Sequence, residues 1–130
     1  MGKIIISTDK APQAIGPYSQ AVKVKEANLT FTSGQIPLDS KTGKLVSDNF
    51  ENQAIQVLEN IRGILKERKC QLDDIIKLTV YLTDLRNFDS LNKIFESFFS
   101  NSSFPARSVV QVSKLPKNSL LEIEAIFHDK

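Results

Sequence analysis

Glu122 and Glu124 are two residues near the end of the chain whose type and spacing could carry acid–base chemistry. One residue separates them in a segment that alternates like a β-strand, so their side chains should share a face about 6.5–7 Å apart. That face is expected to carry Leu120 and Ile126 as well, and a carboxyl group among apolar neighbours has a raised pKa. Such a group can serve as a general acid or base. The alternative, two carboxylates on an exposed strand without a catalytic role, stays open.

Arg107 is a candidate ligand for a carboxylate. It follows Phe104-Pro105-Ala106 at the start of a predicted strand, where a guanidinium can bind a carboxylate through two parallel hydrogen bonds. A surface arginine without a ligand is the alternative. Two loops, residues 11–21 and 32–35, are rich in Gly, Pro and hydroxyl side chains, and their backbone N–H groups could cradle an anion. The sequence has no GxGxxG or P-loop pattern, so nothing favours a nucleotide site.

The single cysteine and the single histidine exclude several other kinds of chemistry within one chain. They cannot supply a disulfide framework, a zinc finger or an iron–sulfur ligand set, and a typical catalytic zinc site needs more histidines. Cys70 is expected to be a small hydrophobic residue or a partly exposed thiol, and His128 a solvated residue of the tail. We therefore expect neither a metal site nor a cofactor.

Length and composition indicate a single domain over residues 1–130. Of these residues 41% are apolar and 25% are charged, which is typical of a globular chain with one core. The 17 basic and 15 acidic residues leave a net charge of +2, too small to favour a nucleic-acid or membrane partner. No stretch approaches the roughly 20 apolar residues of a membrane span, or the apolar segment of a secretory signal. The sequence therefore predicts a cytoplasmic protein.

Hydrophobic periodicity predicts six strands and two helices. The first helix should follow Asp48 as its N-cap, with Glu51 completing a capping box, and the second should cover residues 88–99. The strands are predicted over residues 4–7, 21–25, 29–33, 75–83, 107–113 and 120–127.

This order of elements predicts an α+β sandwich, in which both helices cover one face of a mixed sheet of about six strands. The other face of the sheet should be apolar too, since Val109, Leu120 and Ile126 are expected there. An apolar sheet face requires a cover, and the simplest cover is another copy of the same sheet. The sequence therefore predicts a homo-oligomer.

Five stretches together resemble the RidA/YjgF family, also called the reactive-intermediate deaminase or L-PSP endoribonuclease family. They are APQAIGPYSQA (11–21), TSGQIPLDSKTG (32–43), a QxxQxLxN-like pattern at Gln53, Gln56, Leu58 and Asn60, KLTVYLTDLRNFDSLN (77–92) and FPARSVVQVSKLPKNSLLEIEAI (104–126). The matching stretches extend over nearly the whole chain at matching spacing.

The resemblance implies a chorismate-mutase-like sandwich that assembles as a homotrimer, with the sheets facing a central core and the sites in clefts between subunits. It also implies an activity, the hydrolysis of 2-imino acids such as 2-iminobutanoate and 2-iminopropanoate to 2-oxo acids and ammonia. These imines are released by pyridoxal-phosphate enzymes that act on serine or threonine. The reaction needs no metal or cofactor, because an imine carbon is already electrophilic.

The resemblance assigns roles to individual residues of this chain. Arg107, in the PARS motif, would grip the substrate carboxylate, and Glu122, in the EIE motif, would orient or activate the attacking water. Many members have cysteine where this chain has Val109, which puts thiol chemistry in doubt more than deamination. Contacts to the substrate or its surroundings are implied for Tyr18, Ser33, Gly34, Asn92 and Val109.

Two other functions remain as alternatives. Some members of the family are described as ribonucleases that inhibit translation, but the low net charge and the lack of a basic stripe interleaved with aromatic residues give a single-stranded RNA endoribonuclease little support. The other alternative is a non-catalytic, small-molecule-binding or chaperone-like trimer.

Overall fold

A computed structural model describes residues 2–130. The elements in chain order are β1 (Lys3–Ile6), β2 (Ala21–Val24), β3 (Leu29–Thr32), α1 (Phe50–Glu67), β4 (Ile75–Leu82), α2 (Phe88–Phe98), β5 (Ala106–Gln111) and β6 (Leu121–His128). The six strands and two helices predicted from periodicity are therefore confirmed. Across residues 2–130, neither α1 nor α2 combines the length and the hydropathy that a bilayer-spanning helix needs.

The six strands form one mixed sheet in the order β1-β2-β3-β6-β4-β5. Neighbouring strands are antiparallel except β4 and β5, which run parallel and are joined by the crossover through α2. β6 lies between β3 and β4, and its register places Glu122 opposite Tyr81 and Glu124 opposite Thr79. Both candidate acid–base residues are thus carried by a strand that has neighbours on both sides.

The two helices lie on one face of this sheet and bury the core. Burial alternates along β6, where Leu121, Ile123 and Phe127 are fully covered. The helical segments complete the core with Ala54, Val57, Leu58, Ile61, Ile64, Leu65, Leu91, Phe95 and Phe99. The predicted α+β arrangement, with two helices on one face of a six-stranded mixed sheet, is confirmed.

The opposite face of the sheet is open in the single chain. Directly paired residues of β1, β2, β3 and β6 form an apolar row across it, consisting of Ile5, Val22, Phe31 and Ile126. Ile5 is 54% exposed and Phe31 is 43% exposed. An apolar row of this size on a sheet face is typical of a surface that contacts another protein.

The predicted placement of Val109 and Leu120 on this open face is wrong. β5 pairs with β4 so that Val109 lies beside Val80, which is fully buried. Val109 and Leu120 both pack against the core on the helix side, and Val110 lies on the open face instead. Because β5 has two adjacent valines, periodicity does not decide which of them is buried, and a shift of one residue exchanges the two faces.

The start of α1 and the position of His128 also differ from prediction. The N-cap of α1 is Asn49 rather than Asp48, since the Asn49 side chain accepts a hydrogen bond from Asn52 N at 3.0 Å. Glu51 therefore does not complete a capping box, although its charge in the first turn suits the helix dipole. His128 is the last residue of β6, where it pairs with Leu29, and is not part of a solvated tail.

Cys70 behaves as the sequence predicts, as a partly buried free thiol. Its Sγ donates to the backbone carbonyls of Arg68 and His128, both at 3.5 Å. Burial raises the pKa of Cys70 to about 11. Because the thiolate is the reactive form, a thiol with this pKa is a poor nucleophile at neutral pH.

A buried ionic cluster joins the end of the chain to β2, β3 and α1. The Asp129 carboxylate accepts from Arg68 Nε and Thr30 Oγ1, each at 2.7 Å, and lies 3.5 Å from Lys23 Nζ. The side chains of Asp129 and Lys23 are only 1% and 8% exposed. Burial opposes the charge on Asp129, but the hydrogen bonds from Arg68 and Thr30 outweigh it and hold the pKa of Asp129 below its ordinary value.

We expect Asp129→Ala to lower the free energy of unfolding by about 3–5 kcal/mol at neutral pH, because it leaves the Lys23 ammonium buried without a carboxylate. A group with a depressed pKa stabilises the fold above its unfolded pKa and loses that effect as the pH falls through the folded pKa. The difference between wild type and variant should therefore shrink below pH 3.8, the ordinary pKa of aspartate. Urea denaturation at fixed protein concentration and several pH values measures it. The exposed control Asp9→Asn should change stability by less than about 0.5 kcal/mol, and an equal loss in both variants would contradict the prediction.

Candidate functional site

A cleft of about 590 Å³ is lined by five of the candidate residues identified from the sequence. We call it the Glu122 cleft; it lies where the first loop and the end of β3 meet β6. The residues on its walls that matter for chemistry are Tyr18, Ser33, Gly34, Glu122 and Glu124. The predicted carboxylates therefore share one cavity with the predicted hydroxyl and backbone contacts.

The wall that carries Tyr18 and Ser33 is held in place by the buried amide of Gln20. This amide accepts a hydrogen bond from Thr8 N at 2.6 Å and donates to Pro12 O at 2.7 Å, which closes the first loop. Ser33 Oγ then donates to the carbonyl of Ser19 at 2.6 Å, and Ser33 N donates to Gln20 O at 2.9 Å. Ser33 is thereby fixed to the same loop as Tyr18.

Gly34 lies directly against the carboxylate of Glu122. Gln35 and Ile123 exchange backbone hydrogen bonds at 2.8 and 3.0 Å, and this pair draws the residue before Gln35 onto β6. A Cβ at Gly34 would collide with the Glu122 side chain. Only glycine therefore allows the carboxylate to occupy this position.

The environment of Glu122 favours its protonated form. The side chain is partly buried, and no hydrogen bond or ion pair to its carboxylate is formed within residues 2–130. Burial, with a further contribution from the negative charge of Glu124, raises the pKa of Glu122. A carboxyl group with a raised pKa is a better proton donor at a given pH than an ordinary glutamate, and its ionised form is a stronger base.

Arg107 lies in a separate pocket of about 250 Å³ between β5 and α2. Its guanidinium carbon is 5.0 Å from the ring centre of Phe95 and 5.5 Å from that of Phe88. Asn92 lines the same pocket. Within residues 2–130 Arg107 forms no ion pair, and burial lowers its pKa. A partly desolvated arginine without a carboxylate partner is suited to bind an anion.

Arg107 and Glu122 lie on opposite faces of the sheet. Arg107 pairs with Leu78, whose side chain is fully buried on the helix side, whereas Glu122 pairs with Tyr81 on the open face. Val109 follows Arg107 on the helix side and packs against the core, and it is not part of the wall of either cavity. The Glu122 cleft and the Arg107 pocket are thus two separate cavities of one chain.

Sequence reasoning assigned no structural role to three buried amides that position the loops around the cleft. Besides Gln20, Gln53 accepts from Leu120 N and donates to Ser47 O, both at 2.8 Å. Asn60 Nδ2 donates to the carbonyls of Leu38 and Ile36 at 3.0 and 3.2 Å. Both α1 residues stand among its buried apolar positions, and an amide at such a position needs partners, which is the signal that could have revealed them.

A family model and curated relatives match this chain over most of its length. Residues 8–128 match the family model described as endoribonuclease L-PSP. A RutC family protein of Pyrococcus abyssi is 48% identical over 126 residues, which are 97% of each chain. A protein of Salmonella typhimurium named 2-iminobutanoate/2-iminopropanoate deaminase is 46% identical over 123 residues, 93% of this chain and 94% of the relative.

The same likeness extends to solved structures. The crystal structure of Escherichia coli TdcF with bound serine superposes with a TM-score of 0.90 at 43% identity, and the match spans 98% of this chain and 99% of the other. Sequence and fold therefore agree over almost the full length of both proteins. The resemblance seen in the motifs is confirmed: the chain belongs to the RidA/YjgF family, whose model carries the description endoribonuclease L-PSP.

Proposed function

We propose that this protein hydrolyses 2-imino acids, such as 2-iminobutanoate and 2-iminopropanoate, to 2-oxo acids and ammonia. The observation that carries the proposal is Arg107, a partly buried guanidinium with no ion-pair partner within residues 2–130, lying over two aromatic rings. A small organic acid offers the carboxylate that this group lacks, and a guanidinium binds it through two hydrogen bonds with a fixed orientation. The name of the Salmonella relative supports the same chemistry.

The reaction needs a group that moves protons, and Glu122 is suited to that role. Water adds to the carbon of the protonated imine while Glu122 takes one of the water protons, which gives a neutral carbinolamine. Glu122 then returns this proton to the amino nitrogen. The carbon–nitrogen bond breaks, ammonia leaves, and the hydroxyl proton passes to solvent as the carbonyl of the 2-oxo acid forms. Holding the imino acid and the water in the right relative position lowers the activation barrier by several kcal/mol. A positioned carboxylate that transfers protons increases the rate by about 10²–10⁴-fold.

The complete site in this proposal is formed by two copies of the chain in a homotrimer. Arg107 and Glu122 lie on opposite faces of the sheet within one chain, so a small substrate cannot be expected to reach both in the same copy. The open face with its exposed apolar row, which includes Ile5 and Phe31, offers a contact surface for further copies. β5 is an edge strand, so its Arg107 pocket can meet the Glu122 cleft of a neighbouring copy at the rim of the sheet.

The proposal is tested by coupling this protein to a pyridoxal-phosphate threonine dehydratase and timing the appearance of 2-oxobutanoate and ammonia. We expect the protein to accelerate both beyond the spontaneous hydrolysis of the released imine, in proportion to its concentration. The Glu122→Gln variant, which keeps the size of the side chain, should lose about 10²–10⁴-fold of this acceleration. Protein that cleaves single-stranded RNA but leaves the rate of imine hydrolysis unchanged would contradict the proposal and favour the ribonuclease alternative.

A further inference from the structure

We propose that Glu124, held by Tyr81, is a positioning residue that sets the proton affinity of Glu122. The inference rests on the proposed function of Glu122 as the acid–base group of the Glu122 cleft. It gives a function to the Glu124 carboxylate, which takes no direct part in the proposed reaction. Glu124 contacts Tyr81 and lies on the same face of β6 as Glu122, and these two relations define its role.

The geometry separates the roles of the two carboxylates. Glu122 and Glu124 both line the cleft, and as alternate residues of β6 they lie about 6.5–7 Å apart on one face. Tyr81 stands directly opposite Glu122 in the sheet, yet its hydroxyl donates to Glu124 Oε1 at 2.8 Å. The phenol thus reaches the diagonal neighbour. This contact fixes the Glu124 carboxylate and leaves that of Glu122 free to meet water or substrate.

The hydrogen bond also holds the Glu124 carboxylate on the same face as Glu122. The bond to Glu124 is the main reason that the pKa of Tyr81 is raised, so the phenol remains a donor across the physiological range. The charge on Glu124 in turn disfavours a second charge on Glu122, and it acts in the same direction as burial, which raises the pKa of Glu122.

The other groups around the cleft do not offset this effect. Tyr18 comes from the loop between β1 and β2, the end of β3 contributes only uncharged residues, and the loop after β5 contributes Pro116 to the lining. Lys77 lies on the open face of β4, where its ammonium donates to Ser108 Oγ of β5 at 3.1 Å, and it does not contribute to the raised pKa of Glu122. Within residues 2–130, Glu124 is therefore the charge that acts on Glu122.

The consequence for catalysis is that Glu122 can work in both directions. A glutamate with an ordinary pKa remains ionised at neutral pH and is a poor proton donor. A glutamate whose pKa is raised toward the working pH can take a proton from water and return it to the departing nitrogen. Glu124 and Tyr81 would supply part of that adjustment without touching the reacting atoms.

The experiment measures the titration of Glu122 directly, by ¹³C NMR of the side-chain carboxyl groups, with its signal assigned from its loss in Glu122→Gln. Glu124→Gln removes the charge but keeps an acceptor for Tyr81. We expect the midpoint of Glu122 to fall by roughly one pH unit. The acid limb of the kcat/KM profile should move in the same direction. Tyr81→Phe should cause a smaller shift of the same sign, and should add nothing in the Glu124→Gln background.

Glu51→Gln on α1, which lies beyond the helix side of the sheet, serves as the matched control and should leave the midpoint of Glu122 in place. An unmoved midpoint in Glu124→Gln would overturn the inference; if that variant does not fold, the same result in Tyr81→Phe overturns it. The titration does not depend on activity. An inactive protein with a shifted midpoint therefore counts against the proposed function, whereas an active protein with an unmoved midpoint counts against the role of Glu124.

Discussion

Replacing Arg107 by alanine is expected to lower kcat/KM for 2-imino acid hydrolysis by about 10²–10³-fold. This is the effect expected when one partner of a buried charge pair is removed. The side chain is partly desolvated over Phe88 and Phe95 and forms no ion pair within residues 2–130. Its removal leaves the substrate carboxylate without a cation. Arg107→Lys keeps the charge but loses the two-pronged geometry, so it should also be strongly impaired. The coupled dehydratase assay measures both variants.

The matched control is Arg86→Ala. The Arg86 side chain is 91% exposed and its ion pair is with Asp84, and neither residue lines the Glu122 cleft or the Arg107 pocket. We expect this variant to retain wild-type kcat/KM. Sedimentation should show that Arg107→Ala keeps the oligomeric state of the wild type, so that lost activity cannot be attributed to lost assembly. Wild-type rates in Arg107→Ala would refute the proposed role of the guanidinium.

Mixing two inactive variants is expected to restore activity. Chains with Arg107→Ala retain Glu122, and chains with Glu122→Gln retain Arg107. If a site takes Arg107 from one copy and Glu122 from its neighbour, random trimers from equal amounts contain about one intact site in four. Co-refolding the two variants should therefore recover about a quarter of the wild-type rate, with native mass spectrometry reporting the mixed trimers.

The control for this experiment pairs Arg107→Ala with the double variant that lacks both side chains. No intact site can form in that mixture, so its rate should stay at the background. A mixture of the two single variants that forms mixed trimers but stays inactive would show that both groups must come from one chain. The result distinguishes a shared site from a site within one copy without any knowledge of the bound state.

The sequence predicted the element order and the helix-covered face because both depend on strong, local periodicity. The β6 segment from Leu121 to His128 alternates between buried and partly buried residues without interruption, and its phase follows from the pattern. β5 is a short edge strand with adjacent Val109 and Val110, so its phase is set by pairing with β4 and not by composition. The predicted N-cap of α1, Asp48, is one residue before the observed one, Asn49, because both residue types are good caps.

The candidate residues of the site were also predictable, but their arrangement was not. Chemical type and motif spacing nominated Arg107 and Glu122, and each lies in a cavity. That they lie on opposite faces depends on the phase of β5, which periodicity left undetermined. Gln20 was missed because its hydrogen bonds go to Thr8 and Pro12 in an irregular loop, and such contacts leave no repeating pattern in a sequence.

The cation–π contacts of Arg107 have a consequence for the rate at high turnover. Phe88 and Phe95 lie against the Arg107 guanidinium, and a guanidinium binds a carboxylate whichever group is attached to it. In the proposed reaction the imino acid and the oxo acid differ at the neighbouring carbon but share that carboxylate. The 2-oxo acid product therefore competes with the imino acid substrate for Arg107. The enzyme would show competitive product inhibition as the 2-oxo acid accumulates.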